Sequence, residues 1–174
     1  SPVARVTYLL LSCTLTVADA QALSAALEVN TSLEMLSFDN TELDDGIMAA
    51  LSPGLSVNTS LKNIEFHGCA LGDSDENVVS LATAVRDNTS VEKLYISNYQ
   101  NFGDQGAITL SRILLVGYGN ATLKELGLSN CGIGPDGAAV FARAMRVKKS
   151  LQVLKLDFNR RIGNTGAIAL AQSL

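Results

Sequence analysis

The triplet Asn-Thr-Ser occurs three times in this chain, at residues 30–32, 58–60 and 88–90. An apolar residue follows each copy: Leu33, Leu61 and Val91. Asn120-Ala121-Thr122 stands before Leu123 in the same way, and Lys148-Lys149-Ser150 before Leu151. These apolar starts are 28, 30, 32 and 28 residues apart. A recurrence of that length marks a repeat protein. Each unit is then one supersecondary element that cannot bury its own apolar face and must stack on its neighbours.

The units share an inner pattern, with apolar residues at offsets 0, 3 and 5 from each start. It reads Leu33, Leu36, Phe38; Leu61, Ile64, Phe66; Val91, Leu94, Ile96; Leu123, Leu126, Leu128; and Leu151, Leu154, Leu156. Val6, Leu9 and Leu11 supply an earlier copy. Alternation between offsets 3 and 5 predicts a short strand with one buried face. Offset 8 is Thr14, Thr41, Cys69, Cys131 or Asn159, with Tyr99 as the departure. The second half of each unit carries i, i+4 apolar pairs: Leu23/Leu27, Leu51/Leu55, Leu81/Val85, Phe141/Met145 and Leu170/Leu174. Such pairs share one helical face. The asparagine three residues later, as in Leu27–Asn30 and Leu55–Asn58, is the expected left-handed residue ending that helix.

Strand, loop, helix and turn thus alternate along the whole chain. The fullest copy is Leu123-Lys-Glu-Leu126-Gly-Leu128-Ser-Asn-Cys131-Gly-Ile133, followed by Gly134-Pro-Asp-Gly137-Ala-Ala. This resembles the leucine-rich repeat in its ribonuclease-inhibitor-like class. The resemblance implies an α/β fold, a right-handed leucine-rich-repeat solenoid or horseshoe, with parallel strands on the concave face and helices on the convex face. It implies one domain over 1–174, with units near 6–32, 33–60, 61–90, 91–122, 123–150 and a partial 151–174. Extra residues at 73–77, near Asn101 and at 115–119 fall in loops. The apolar ends Val6–Leu11 and Leu170/Leu174 have no capping segment, so the chain reads as a fragment of a longer one, with self-association through those ends as a further expectation.

The resemblance also bears on function. It implies a non-enzymatic protein–protein interaction module, as in the partner-sensing regions of nucleotide-binding immune-type receptors. Two alternatives share the repeat class: regulation of a small GTPase, as by Ran GTPase-activating protein, and actin-end capping, as by tropomodulin. The partner is another protein of unspecified identity.

Composition narrows this further. Thirteen Lys and Arg against 17 Asp and Glu give a net charge of −4, against nucleic-acid binding, which needs a basic surface. No apolar stretch approaches the roughly 20 residues of a membrane helix. One His and three cysteines with no C-x-x-C pair predict no metal site, no redox motif and no cofactor. Sparse, odd-numbered cysteines suit free thiols in the cytoplasm, with secretion left open because the chain begins at Ser1. Cys69 and Cys131, at the offset-8 position, are expected to bond loop backbone. The Asn-Thr-Ser triplets and Asn120 also spell glycosylation acceptors, but their recurrence is that of repeat turns.

The candidate contact surface is the concave face, where side chains beside the buried strand positions point outward. It comprises Tyr8, Leu10 and Ser12; Met35, Ser37 and Asp39; Asn63, Glu65 and the lone His67; Lys93, Tyr95 and Ser97; Glu125, Gly127 and Ser129; and Val153, Lys155 and Asp157. A second candidate is an acidic rim of Asp44, Asp45, Asp73, Asp75, Glu76, Asp104 and Asp136 between strands and helices. Aspartates there suit helix N-termini, and stacking would align them for a basic partner. Gly132-Ile-Gly134-Pro-Asp-Gly137 imitates a dinucleotide fingerprint. Gly103/Gly106 and Gly163/Gly166 repeat the same step elsewhere, so these glycines read as the loop entering a helix. Arg143, Arg160 and Arg161 stand in ordinary helix or loop settings.

Overall fold

The computed structural model describes residues 5–71, 75–114, 121–147 and 150–174. Strands and helices alternate: β1 (Tyr8–Leu11), α1 (Val17–Val29), β2 (Met35–Asp39), α2 (Asp45–Val57), β3 (Asn63–His67), α3 (Asp75–Asp87), β4 (Lys93–Ser97), α4 (Gly103–Leu114), β5 (Glu125–Ser129), α5 (Pro135–Val147), β6 (Val153–Lys155) and α6 (Gly163–Ala171). The strands form one parallel sheet in sequence order. Each helix contacts its sequence neighbours, and so does each strand. The result is an open solenoid, strands concave and helices convex, as the repeat pattern predicts. The insertions expected at 73–77 and 115–119 fall wholly or partly outside the described residues, as do Asp73 and Asn120.

Register puts equivalent residues side by side. Leu36, Ile64, Leu94, Leu126 and Leu154 pair strand to strand, as do Phe38, Phe66, Ile96 and Leu128. Phe38 and Phe66 stack with centroids 5.4 Å apart. From the helices, Leu27, Leu51, Leu55, Leu81, Val85 and Phe141 close the core, each 1% exposed or less. Burying each such side chain stabilises the fold by about 1.5–3 kcal/mol. The last pair behaves differently. Helix α6 stops at Ala171, and Leu174 lies beyond it, fully exposed.

The asparagines that end the helices do not take the expected left-handed form. Asn30 and Asn58 have φ of −77° and −61°, in extended backbone. They act through their amides instead. Asn58 Oδ1 accepts from the Ser60 and Leu61 N–H groups, and its Nδ2 donates to the Leu27 and Asn30 carbonyls one unit earlier. Asn88 repeats the arrangement on Ser90, Val91, Leu55 and Asn58. The triplet is a buried ladder between units, and that is the physical reason for its recurrence. Asn58 and Asn88 are each 2% exposed, with amides already engaged, so the folded units do not present them as glycosylation acceptors.

A row of left-handed residues stands at offset 7, beyond strands β2 to β6: Asn40, Gly68, Asn98, Asn130 and Phe158, with φ between 48° and 61°. The first four each donate their N–H to the next unit's chain, as in Asn98 to the Ser129 carbonyl at 3.0 Å. Asn and Gly suit that conformation, and a bulky ring does not. Replacing Phe158 with Asn is therefore expected to raise stability by about 1 kcal/mol, read from the urea midpoint. An unchanged or lower midpoint would contradict the strain.

Offset 8 turns inward, as expected. Thr41, Cys69, Cys131 and Asn159 donate to carbonyls of the preceding unit: Leu11, Phe38, Ile96 and Leu128. Tyr99, the departure, fills the same place with a ring and reaches the Leu71 carbonyl at 3.2 Å.

Candidate functional site

The sheet register builds three rows across the concave face. One row runs Met35, Asn63, Lys93, Glu125, Val153; the next runs Ser37, Glu65, Tyr95, Gly127, Lys155. The third holds Asp39, His67, Ser97 and Ser129, continued by Asp157, whose carboxylate accepts from Ser129 Oγ at 2.7 Å. Lys93, Val153, Lys155 and Asp157 are exposed, while Met35, Asp39, Asn63, Glu65, His67, Tyr95, Ser97, Glu125 and Ser129 are half-buried. Tyr8, Leu10 and Ser12 are exposed at the free edge. Ser37 departs from the expected exposure: it is 1% exposed. Its short side chain sits between Leu10 and Glu65 on the flanking strands and is covered by them.

Two side-chain clusters stand on this surface. The first fixes His67, which is not the isolated surface histidine the sequence suggests. Its Nδ1 lies 2.7 Å from Ser97 Oγ, and its Nε2 lies 2.9 Å from Glu65 Oε2. Asn63 Nδ2 donates to the other Glu65 oxygen at 2.8 Å. Ser, His and Glu in that order imitate a hydrolase relay. However, the N–H that follows Ser97 is engaged with the Ser129 carbonyl, so it does not offer an oxyanion donor. Among the described residues, no group of three His, Cys, Asp or Glu could hold a metal ion.

The second cluster spans β4, β5 and β6. Glu125 accepts from Lys155 at 2.7 Å and pairs with Lys93 at 3.6 Å. Lys155 also donates to the Tyr95 hydroxyl at 3.3 Å, with its ammonium 4.8 Å from the ring centroid. Hydrogen bonds from Lys155 and then Tyr95 hold the Glu125 carboxyl below its usual range. Desolvation, with the Glu125 carboxylate adding to it, pushes the Tyr95 phenol up. Gly127 explains how the ring lies down: a Cβ there would meet Tyr95 Cδ1 at 2.3 Å. The missing side chain on β5 is the seat of the aromatic from β4. The outcome is a pre-positioned aromatic flanked by two half-exposed lysines.

The expected acidic rim does different work at different positions. Asp44 caps α2, accepting from Ile47 N–H at 2.9 Å. Asp45, Asp75, Glu76 and Asp136 sit in the first turns of α2, α3 and α5. Asp104 reaches across to the next unit, where Oδ1 accepts from the Gly134 and Gly137 N–H groups at 2.7 and 2.8 Å. In a dinucleotide site those N–H groups would face a phosphate; here an internal carboxylate fills the place. Both buried thiols are bonded to backbone, and burial raises the Cys69 pKa and pushes Cys131 up to about 12, so neither is a ready nucleophile. Arg160 and Arg161 do not stand in an ordinary loop. They line a cleft with Asn98, Gln100 and Asn130, from units about 30 and 60 residues earlier.

Comparison with known proteins agrees with this architecture. A sequence profile of the leucine-rich repeat matches residues 119–142 and 147–171. A search of curated proteins gives no match. Among solved structures, the tropomodulin C-terminal domain of Caenorhabditis elegans is similar at a TM-score of 0.62 and 15% identity, over 90% of this chain and 91% of that one. Leiomodin-1 actin-binding site 2 aligns at a TM-score of 0.46 and 20% identity, over 96% of this chain and 80% of that one. The tropomodulin likeness is one of fold. No helix among the described residues is long and apolar enough to cross a membrane.

Proposed function

We propose that the chain is a non-enzymatic protein-interaction module that grips its partner on the concave face, centred on Tyr95, Lys93 and Lys155. One observation carries this reading: Tyr95 lies on the bare backbone of Gly127 and is tethered by Lys155. An aromatic held in place before binding loses little entropy on contact, and such residues dominate interface energetics. Solenoids use this extended face for partners. The six units are taken as one domain of the ribonuclease-inhibitor-like class, supported by helices of 12 or 13 residues in five of them. Free cysteines support a reducing, cytoplasmic setting.

The test is affinity capture from cell lysate with the native chain and a Tyr95→Ala/Lys93→Glu variant. A protein retained by the first and reduced at least about tenfold by the second is the expected result. Equal capture by both would move the contact elsewhere. No particular residue favours the GTPase or actin readings over this one; unaltered GTP turnover and filament elongation would dismiss them.

A further inference from the structure

The rim beyond the strands holds a site of a different character. Where β4, β5 and β6 end, an open cleft of about 560 Å³ is lined by residues from three successive units. One side is a row of side-chain amides. Asn130 Nδ2 donates to Asn98 Oδ1 at 2.9 Å, and Gln100 Nε2 donates to the Asn130 carbonyl at 3.1 Å. These bonds hold the row in one orientation. The lining also includes Arg160 and Arg161, both exposed. Neither guanidinium takes part in any ion pair among the described residues. The nearest acid in sequence, Asp157, is bonded to Ser129.

Phe158 completes the cleft. It is 72% exposed and held at φ 61°, where Asn or Gly stands in the four preceding units. A bulky side chain kept in strained backbone without burial gains nothing for the core, and such strain concentrates at functional positions. The chain is acidic overall, so two consecutive arginines on one cleft, without an ion pair among the described residues, form a local exception. Arginine forks match carboxylates in paired geometry. Gln100 Nε2 also donates to Asn130 Oδ1, so within the row Asn98 Nδ2 and Gln100 Oε1 are left as a donor and an acceptor, which is what an extended main chain requires.

We propose that this rim cleft binds an extended acidic segment of a partner protein. Arg160 and Arg161 take its carboxylates, the Asn98 and Gln100 amides pair with its main chain, and Phe158 covers one side. The proposal shares no residue with the concave cluster and stands without it.

The test is fluorescence anisotropy with short labelled peptides on the whole chain. One peptide alternates aspartate with serine, one carries phosphoserine in place of aspartate, and one carries lysine. The expected result is saturable binding of the aspartate peptide that weakens with salt and falls at least about tenfold in Arg160→Gln/Arg161→Gln. Phe158→Asn, which relieves backbone strain, should also weaken it, so lost binding would not reflect lost folding. Tyr95→Ala/Lys93→Glu should leave it unchanged, which separates this site from the concave one. Four results would overturn the proposal: no saturable aspartate binding up to millimolar peptide, equal binding of the lysine peptide, binding of the phosphoserine peptide alone, or indifference to the arginine variant while circular dichroism shows it folded.

Discussion

Replacing Asn88 with alanine is expected to lower the free energy of unfolding by about 3–4 kcal/mol. The side chain is 2% exposed and serves both neighbouring units. Its Nδ2 satisfies the Leu55 and Asn58 carbonyls at 2.8 and 2.7 Å. Its Oδ1 satisfies the Ser90 and Val91 N–H groups at 2.7 Å each. Alanine would strip this partner from the Leu55 carbonyl and the Ser90 and Val91 N–H groups and leave the Asn58 carbonyl with the Ser90 hydroxyl at 3.2 Å. Unsatisfied buried groups cost more than the bonds themselves contribute. Asn30 is the internal control. It accepts from Ser32 and Leu33 N–H but stands in the first described unit, half-buried. Asn30→Ala should therefore cost only about 1 kcal/mol. Equal urea midpoints for the two variants would mean that the ladder between units adds nothing.

The second large effect is expected at Gly54, inside α2. On propensity alone, alanine should stabilise a helix interior by about 1 kcal/mol. Packing reverses the sign. A Cβ at Gly54 would stand 2.3 Å from the Ser24 carbonyl oxygen and 2.7 Å from its Cα, both backbone atoms of α1 that cannot rotate away. Ser24 Oγ also accepts from the Gly54 N–H at 2.8 Å, a bond that any separation of the helices would break. Gly54→Ala is therefore expected to destabilise by about 2–3 kcal/mol net. Gly46→Ala faces chiefly a Val17 methyl at 3.2 Å, which can move, and should be near neutral. A more stable Gly54→Ala would show that α1 and α2 are not held at this distance.

The contrast between those two glycines shows what the sequence could and could not convey. Burial periodicity was plain: offsets 0, 3 and 5 mark the sheet's inner face, and Cys69 and Cys131 announced their backbone bonds by position alone. The triplet announced a turn, but its asparagine was expected to act through φ. It acts through an amide that crosses to another unit, and a one-dimensional pattern does not reveal partners about 30 residues away. The left-handed row at offset 7 was legible in principle, because Asn40, Gly68, Asn98 and Asn130 recur there. It was masked by the louder triplet.

The sites follow the same division. Outward positions on the strands could be listed from alternation, yet Ser37 is covered by its neighbours, and His67 is held between Glu65 and Ser97. The seating of Tyr95 on Gly127 required knowing which residues pair across strands. Arg160 and Arg161 gain meaning only from Asn98, Gln100 and Asn130, which reach them through stacking. Asp104, expected on an open rim, is engaged by backbone of the next unit.

Hydrogen-exchange footprinting of the native chain, free and bound to the protein it captures, tests the central claim most directly. The concave-face account predicts slowed exchange within residues 93–97, 125–129 and 153–157, with the convex helices unchanged. Protection confined to α2–α5, with those strands unaffected, would contradict it.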